Sequence, residues 1–441
     1  MSVSPARRFA FKILLQSATS DLQISDALHS PQCEALELRD RRLSAELAYG
    51  VARNQSLLDG YLSRFLRTPF ARLDLPVAVS LRLAAYQLLF LDRVPARAAV
   101  HESVSLVRAA GYHSASGMVN AVLRKVTRRD FATTLAGLEL NDVAGLSLRY
   151  SHPEWLVGRW VRRFGLALAK ATLEQNNQKP RHYFRLSCPL AESKAVLESL
   201  TSVEIEPHPS VEGAWSATRG DITATPAFQM HRIYQQDPAS QWAAHLLDPG
   251  NARLCLDLCA APGGKASLLA RLGRGKIRIV AVDRVRRRLS TARNLHGQLW
   301  PSLLFVAADG TQPLPFNRVF DRVLIDAPCS GTGTVGRNPE IRWRLAEKRL
   351  QAYQNRQLQL LNRAAQALVA GGRLVYSTCS LEREENEQVI ERFLTLHREF
   401  SVAIPDASAF ASVVASSQGV TLLPSSQNND GFFATILVRN R

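Results

Sequence analysis

Three kinds of hydrophobic patterning follow one another along the chain. From residue 1 to about 148, apolar residues recur three and four apart: Leu43, Leu47 and Val51, then Val77, Leu81, Ala84 and Leu88, then Val100, Val104 and Val107. That spacing gathers each set on one face of an α-helix, so the region is expected to be an all-α domain of amphipathic helices. Gly111 stands where a helix would stop, and Met118, Val119, Val122, Leu123 and Val126 begin the next stripe. Arg7, Arg8, Lys12, Arg124, Lys125, Arg128 and Arg129 are assigned to the opposite faces, either as a solvated surface or as contacts to a phosphate backbone.

Between 149 and 236 the patterns mix. A helix from a Ser151 cap to residue 164 and a second to Asn176 precede short strand-like runs at 182–187 and 203–207, which together read as a small α+β module. Tyr183 and Phe184 beside Arg181 and Arg185 have the make-up of a base-stacking surface, but an aromatic in a short strand more commonly packs, and packing is the reading adopted.

From 237 to 441 strands and helices alternate. Strands are expected at 254–258, 277–283, 303–309, 322–326 and 373–377, with a helix over 348–369 closed by Gly371 and Gly372. Such alternation predicts an α/β, Rossmann-like domain: a parallel sheet with helices on both faces and ligands beyond the C-terminal ends of the strands.

Composition narrows the class. With 46% hydrophobic and 21% charged residues over 441 positions, the chain matches a globular protein of two or three domains and excludes a disordered or membrane-embedded one. No long uninterrupted apolar run and no N-terminal signal pattern is visible, so a cytoplasmic monomer is expected. The six cysteines are scattered without a C-x-x-C pair, which argues against disulfides and against a structural metal. A net charge of +17 points to a polyanionic partner. Basic residues outnumber acidic ones in all three regions, so binding is expected to be shared among folded surfaces.

The unusual motifs fall at strand ends. Cys259-Ala260-Ala261-Pro262-Gly263-Gly264-Lys265 sets small residues where backbone can approach a ligand closely. Asp283 closes the next strand, where a carboxylate can grip ribose hydroxyls, and Asp309 closes the third, near where an adenine amino group would lie. A dehydrogenase fits up to this point, and either aspartate alone could be a helix cap. Two cysteines then arrive at one sheet edge: Asp326-Ala327-Pro328-Cys329-Ser330 follows strand four and Ser377-Thr378-Cys379-Ser380 follows strand five. Buried cysteines are usually inert, which suits Cys33, Cys188 and Cys255. A pair at loop tips, with Lys265 and helix N-termini to favour a thiolate, has the make-up of a reactive site.

These three motifs, in this order, resemble the signature of the NOL1/NOP2/Sun family of RNA cytosine-5 methyltransferases. The resemblance extends to residues 6–15, 47–54 and 99–125, which are similar to a NusB-like helical domain, and to Ser151-His152-Pro153-Glu154-Trp155-Leu156 and Asp430-Gly431-Phe432-Phe433. It implies an S-adenosylmethionine-dependent enzyme acting on small-subunit ribosomal RNA, with a NusB-like RNA-binding domain (1–148), an RNA-binding-like α+β module (149–236) and a methyltransferase domain (237–441). It further implies Cys379 as the nucleophile, Cys329 as the cysteine that assists release, and Asp326 and Lys265 as their catalytic neighbours. Residues 259–265 with Asp283, Asp309 and Asp326 would hold the cofactor. One departure is the basic run Arg284-Val285-Arg286-Arg287-Arg288, assigned to RNA or to solvent. Two competitors remain. A DNA cytosine-5 methyltransferase would use Cys329 as nucleophile and lack the Thr-Cys, and a non-catalytic RNA assembly factor would have lost a cysteine or the glycine loop.

Overall fold

The stripes of the first region are the buried faces of helices. Leu38–Arg53 turns Leu47 and Val51 inward, Leu75–Phe90 turns Val77, Leu81 and Ala84 inward, and both join Val107, Val119, Val122 and Leu123 in one core. Each such fully buried aliphatic side chain contributes about 1.5–3 kcal/mol, which is why the periodicity is so legible. The helix Ala96–Ala109 ends just before Gly111, whose φ of +90° lets the chain reverse.

The computed structural model of the chain describes residues 3–427 and 429–440. They fall into two units, one of Met1–Gln178 with Val335–Glu347, the other of Lys179–Thr334 with Lys348–Arg441. The helical pair assigned to the middle module therefore belongs to the first unit. It spans Glu154–Asn177 and breaks at Gly165, where φ is +79°. Ser151 is not its cap; Ser151 is itself left-handed and its hydroxyl accepts from Ser56 N at 3.0 Å.

One side chain expected to reach outward does not, and a second is exposed but already engaged. Arg7 is buried, paired with Glu102 at 2.9 Å and donating to Gln87 at 2.6 Å, so it is a core ion pair and not a phosphate contact. Arg128 is tied to Asp92 and to the carbonyls of Leu88 and Leu91. Arg124, Lys125 and Arg129 are exposed as expected.

In the second unit, β1 (Tyr183–Leu186), β2 (Glu204–Pro207), β3 (Ala214–Arg219) and β4 (Ile233–Gln235) form a sheet of order β2-β3-β1-β4. Phe184 is fully buried and Tyr183 nearly so, which is packing. The larger sheet holds β5 (Leu254–Asp257), β6 (Arg278–Asp283), β7 (Leu303–Ala307), β8 (Phe320–Asp326) and β9 (Leu368–Thr378), joined by β10 (Phe400–Ala403), β11 (Val413–Ser416), β12 (Gly419–Leu422) and β13 (Phe432–Arg439). Its order is β11-β12-β13-β9-β8-β5-β6-β7, with β10 paired to β13.

The five expected strands are parallel, but the sheet as a whole is mixed: β13 runs antiparallel beside β9 and anchors β12 and β10. The helix before β9 is Leu350–Ala367, and Gly371 and Gly372 do not close it but lie inside β9. Gly371, at φ +74°, absorbs the register shift between β8 and β9, a bulge that a side chain would strain. Among the described residues no helix is long and apolar enough to cross a membrane.

Candidate active site

Five parallel strands, β5 to β9, deliver side chains to one edge. After β5, Gly263 adopts φ +96° and opens the helix Gly264–Leu272, so the 259–263 loop turns back over the strand end. Asp283, at the end of β6, binds that loop from below: its carboxylate accepts from Ala261 N at 3.2 Å and from Val285 N at 2.9 Å. The basic run has an internal role here, since Arg288 donates to the Ala261 carbonyl at 2.6 Å. Asp309 lies beyond the end of β7, where its Oδ1 accepts from Thr311 N at 3.0 Å and Thr311 Oγ1 at 2.8 Å. Those bonds hold its pKa below the usual range.

Lys265 is buried and donates to Asp326 Oδ2 and to Ser240 Oγ, both at 2.6 Å. Ser377 donates to the other oxygen of Asp326 at 3.1 Å, which fixes the carboxylate on two sides. The ammonium is thus committed to Asp326 and Ser240 and not to either cysteine, which corrects the expectation that it favours a thiolate directly.

The cysteines do meet. Cys329 Sγ and Cys379 Sγ lie 3.2 Å apart, each residue half-buried. The hydrogen bond with Cys379, then burial, pushes the Cys329 thiol well up, so Cys329 stays protonated. Cys259 is also held as a thiol, chiefly by burial and then by Asp257.

A cleft of about 220 Å³ runs beside these groups, lined by Tyr234, Gln236, Ser240, Asp257, residues 259–262, Gly264, Lys265 and Asp326. Asp257 opens the sequence motif that runs through Cys259 to Lys265 and ends the apolar run of β5, but sequence reasoning gave it no role in the site. It is 1% exposed and neither carboxylate oxygen is in a well-formed hydrogen bond, the Cys259 backbone N–H being the nearby donor that offsets part of its burial. Burial pushes its pKa up to about 7, against the pull of Lys265. Buried carboxylates short of donors are costly, and one that lines a cleft is matched to a cationic ligand group. Tyr234 and Ser240, contributed by β4 and the helix Pro238–Leu246, carried no signal, because nothing in their local sequence indicates that they reach β5.

Comparison with known proteins gives this geometry a relationship. Residues 244–438 match the family described as 16S rRNA methyltransferase RsmB/F, residues 4–128 the NusB family, and residues 152–215 a ferredoxin-like domain of RsmF/B-like methyltransferases. The probable ribosomal RNA small subunit methyltransferase B of Synechocystis sp. is 34% identical over 97% of this chain and 98% of its own. The chain belongs to the RsmB/F family of rRNA methyltransferases. Ribosomal RNA small subunit methyltransferase B of Klebsiella pneumoniae subsp. pneumoniae is 31% identical over 99% of this chain and 98% of its own. A methyltransferase homolog protein from Pyrococcus horikoshii is 26% identical, with a TM-score of 0.58 over 67% of this chain and 98% of its own. A further crystal structure covers 99% of both chains at a TM-score of 0.79, which at 24% identity shows the shared fold. The RsmB/F family is one of S-adenosylmethionine-dependent methyltransferases, and the NusB-like and Rossmann-like domains expected of the chain are those its regions match.

Proposed function

We propose that this chain methylates carbon 5 of a cytosine in small-subunit ribosomal RNA, with Cys379 as the nucleophile. The reading is carried by one observation, two cysteine sulfurs 3.2 Å apart at the same sheet edge as the Lys265–Asp326 pair.

Carbon 5 of cytosine is too weak a nucleophile to take a methyl unaided. Cys379 Sγ, as thiolate, forms a bond to carbon 6, and the electrons of the 5,6 double bond become available at carbon 5. Asp326, held by Lys265 and Ser377, accepts a hydrogen bond from the exocyclic amino group beside ring nitrogen 3 and so orients the base for addition. S-adenosylmethionine, when bound, would supply the methyl to which carbon 5 forms its bond, the electron pair of the broken carbon–sulfur bond staying on its sulfur. A base then removes the carbon 5 proton, the double bond reforms, and the carbon 6–sulfur bond breaks with its electrons returning to Cys379. Cys329, kept as a thiol, donates a hydrogen bond to that departing sulfur.

Residues 259–265 with Asp283, Asp309 and Asp326 are proposed to hold the cofactor. Asp257 joins them, because its two oxygens, short of donors in the cleft, suit an ammonium group. The proposed division of labour is a NusB-like RNA-binding domain at 1–148, an RNA-binding-like module at 149–236 and the methyltransferase domain at 237–441. The target base must be unstacked to reach the sulfurs, at a cost of a few kcal/mol, about what a loop or single strand largely avoids.

The test is a pair of substitutions assayed on ribosomal RNA. Cys379→Ala is expected to abolish 5-methylcytosine formation, and Cys329→Ala to leave protein covalently attached to RNA. The reverse pattern would exchange the two roles and favour the chemistry of a DNA-type enzyme.

A further inference from the structure

The two cysteine loops are not held together by the cysteines. Each cysteine is followed by a serine, and both serines converge on one carboxylate, that of Glu385, which is fully buried in the turn Arg383–Glu385. Glu385 Oε1 accepts from the Ser330 backbone N–H at 2.8 Å and from Gln357 Nε2 at 3.1 Å. Its Oε2 accepts from the Ser380 hydroxyl at 2.5 Å and from the Ser330 hydroxyl. The Ser330 N–H belongs to the peptide bond that leaves Cys329, so this bond fixes that peptide plane. The Ser380 hydroxyl sits one residue after Cys379. The loops also meet directly, through Gly333 N–H on the Cys379 carbonyl at 2.9 Å and Leu381 N–H on the Thr332 hydroxyl at 2.9 Å, but among the described residues Glu385 is the one side chain that binds the residue following each cysteine, and its bonds are buried.

We infer that Glu385 is a positioning residue, which holds Cys329 and Cys379 at the separation that adduct release requires. The inference rests on the roles given above to the two cysteines. Its basis is geometric. Gln at this position keeps the same reach: its carbonyl accepts from Ser330 N and Gln357, and its amide donates to the two hydroxyls, whose hydrogens turn from Glu385 to Ser380 Oγ and Thr332 Oγ1, 3.1 and 3.3 Å away. Asp keeps the charge but is one methylene shorter, so it cannot span both loops without moving them.

The experiment has two readouts on the full chain. The first is steady-state methyl transfer. Glu385→Asp, and separately Ser380→Ala, is expected to lower kcat by about 100-fold, the order of effect a misplacement of about 1 Å produces, with KM for S-adenosylmethionine little changed. Glu385→Gln is expected to stay within about threefold of the parent, since no buried donor is left unpaired.

The second readout does not depend on catalysis. Phenylarsine oxide condenses with two adjacent thiols to give one arsenic bridged to both sulfurs, releasing water. Mass spectrometry of the digested product is expected to locate that bridge on Cys329 and Cys379 in the parent and in Glu385→Gln, and to find it lost in Glu385→Asp and Ser380→Ala. Full bridging and full kcat in Ser380→Ala and in folded Glu385→Asp would overturn the inference, as would a Glu385→Gln chain that loses both. If the bridge follows the expected pattern while Cys379→Ala still methylates, Glu385 positions the sulfurs and the proposed chemistry is what fails.

Discussion

Asp257 offers the sharpest quantitative test. Its carboxyl is buried and its pKa is pushed up to about 7 from an ordinary 3.8, with burial as the main cause. Below about pH 3.8 the group is protonated whether the chain is folded or not, and it contributes nothing to pH dependence. Between that value and about 7 the folded chain keeps a proton that the unfolded chain has lost, so stability falls as pH rises; above 7 the penalty is constant. Three units at about 1.4 kcal/mol each give about 4 kcal/mol.

Asp257→Asn retains the shape and cannot ionise. It is expected to match the parent near pH 4 and to exceed it by up to about 4 kcal/mol at pH 8, roughly a 10 °C rise in the melting midpoint of a unit this size. The assay is a series of thermal unfolding curves from pH 4 to 9 on both proteins. The same variant separates stability from function. If its oxygens receive the ammonium of S-adenosylmethionine, the parent must ionise Asp257 to bind it, so calorimetric affinity rises with pH through 7 and binding releases a proton. Asp257→Asn is then expected to bind about tenfold or more weakly, the effect of one lost charge-assisted hydrogen bond, with a flat pH response. Parent and variant midpoints that run parallel across the pH range would refute the burial argument, and equal donor affinity would remove Asp257 from the cofactor site.

Other outcomes follow from single contacts. A methyl group at Gly333 would stand 2.1 Å from the Gly431 carbonyl oxygen and 2.9 Å from that of Cys379. Gly333→Ala must therefore shift backbone beside the nucleophile, and is expected to destabilise by about 1–3 kcal/mol in thermal unfolding and to cut methyl transfer sharply. Arg185 is buried and donates to the Gly264 carbonyl at 2.5 Å and Ser267 Oγ at 2.7 Å, from β1 across to the glycine loop. Arg185→Met is expected to raise KM for S-adenosylmethionine more than it lowers kcat, and an unchanged KM would show that the loop keeps its shape without it. Binding of the whole chain to ribosomal RNA should weaken about tenfold or more between 50 and 200 mM salt if the +17 charge meets phosphate, and a flat titration would count against that.

Patterns within a few residues of one another were legible in the chain. The helical stripes, the five parallel strands and the placing of Gly263, Asp283, Cys329 and Cys379 at strand ends all follow from periodicity and from turn chemistry, which are local. The resemblance to RNA cytosine-5 methyltransferases rests on such local motifs as well. What the sequence left open depends on partners distant along the chain. Arg7 sits among other arginines and is buried only because Glu102 lies across from it. The antiparallel β13 reads as an apolar run whose neighbour, β9, is fixed by the sheet and not by spacing. Asp257 looks like any strand-ending aspartate until the fold buries it with neither oxygen in a well-formed hydrogen bond, and Glu385 like any surface acid until two serines from separate loops close on it. Burial and pairing are properties of the assembled core, and only there did a motif of cysteines become two sulfurs within reach of one another.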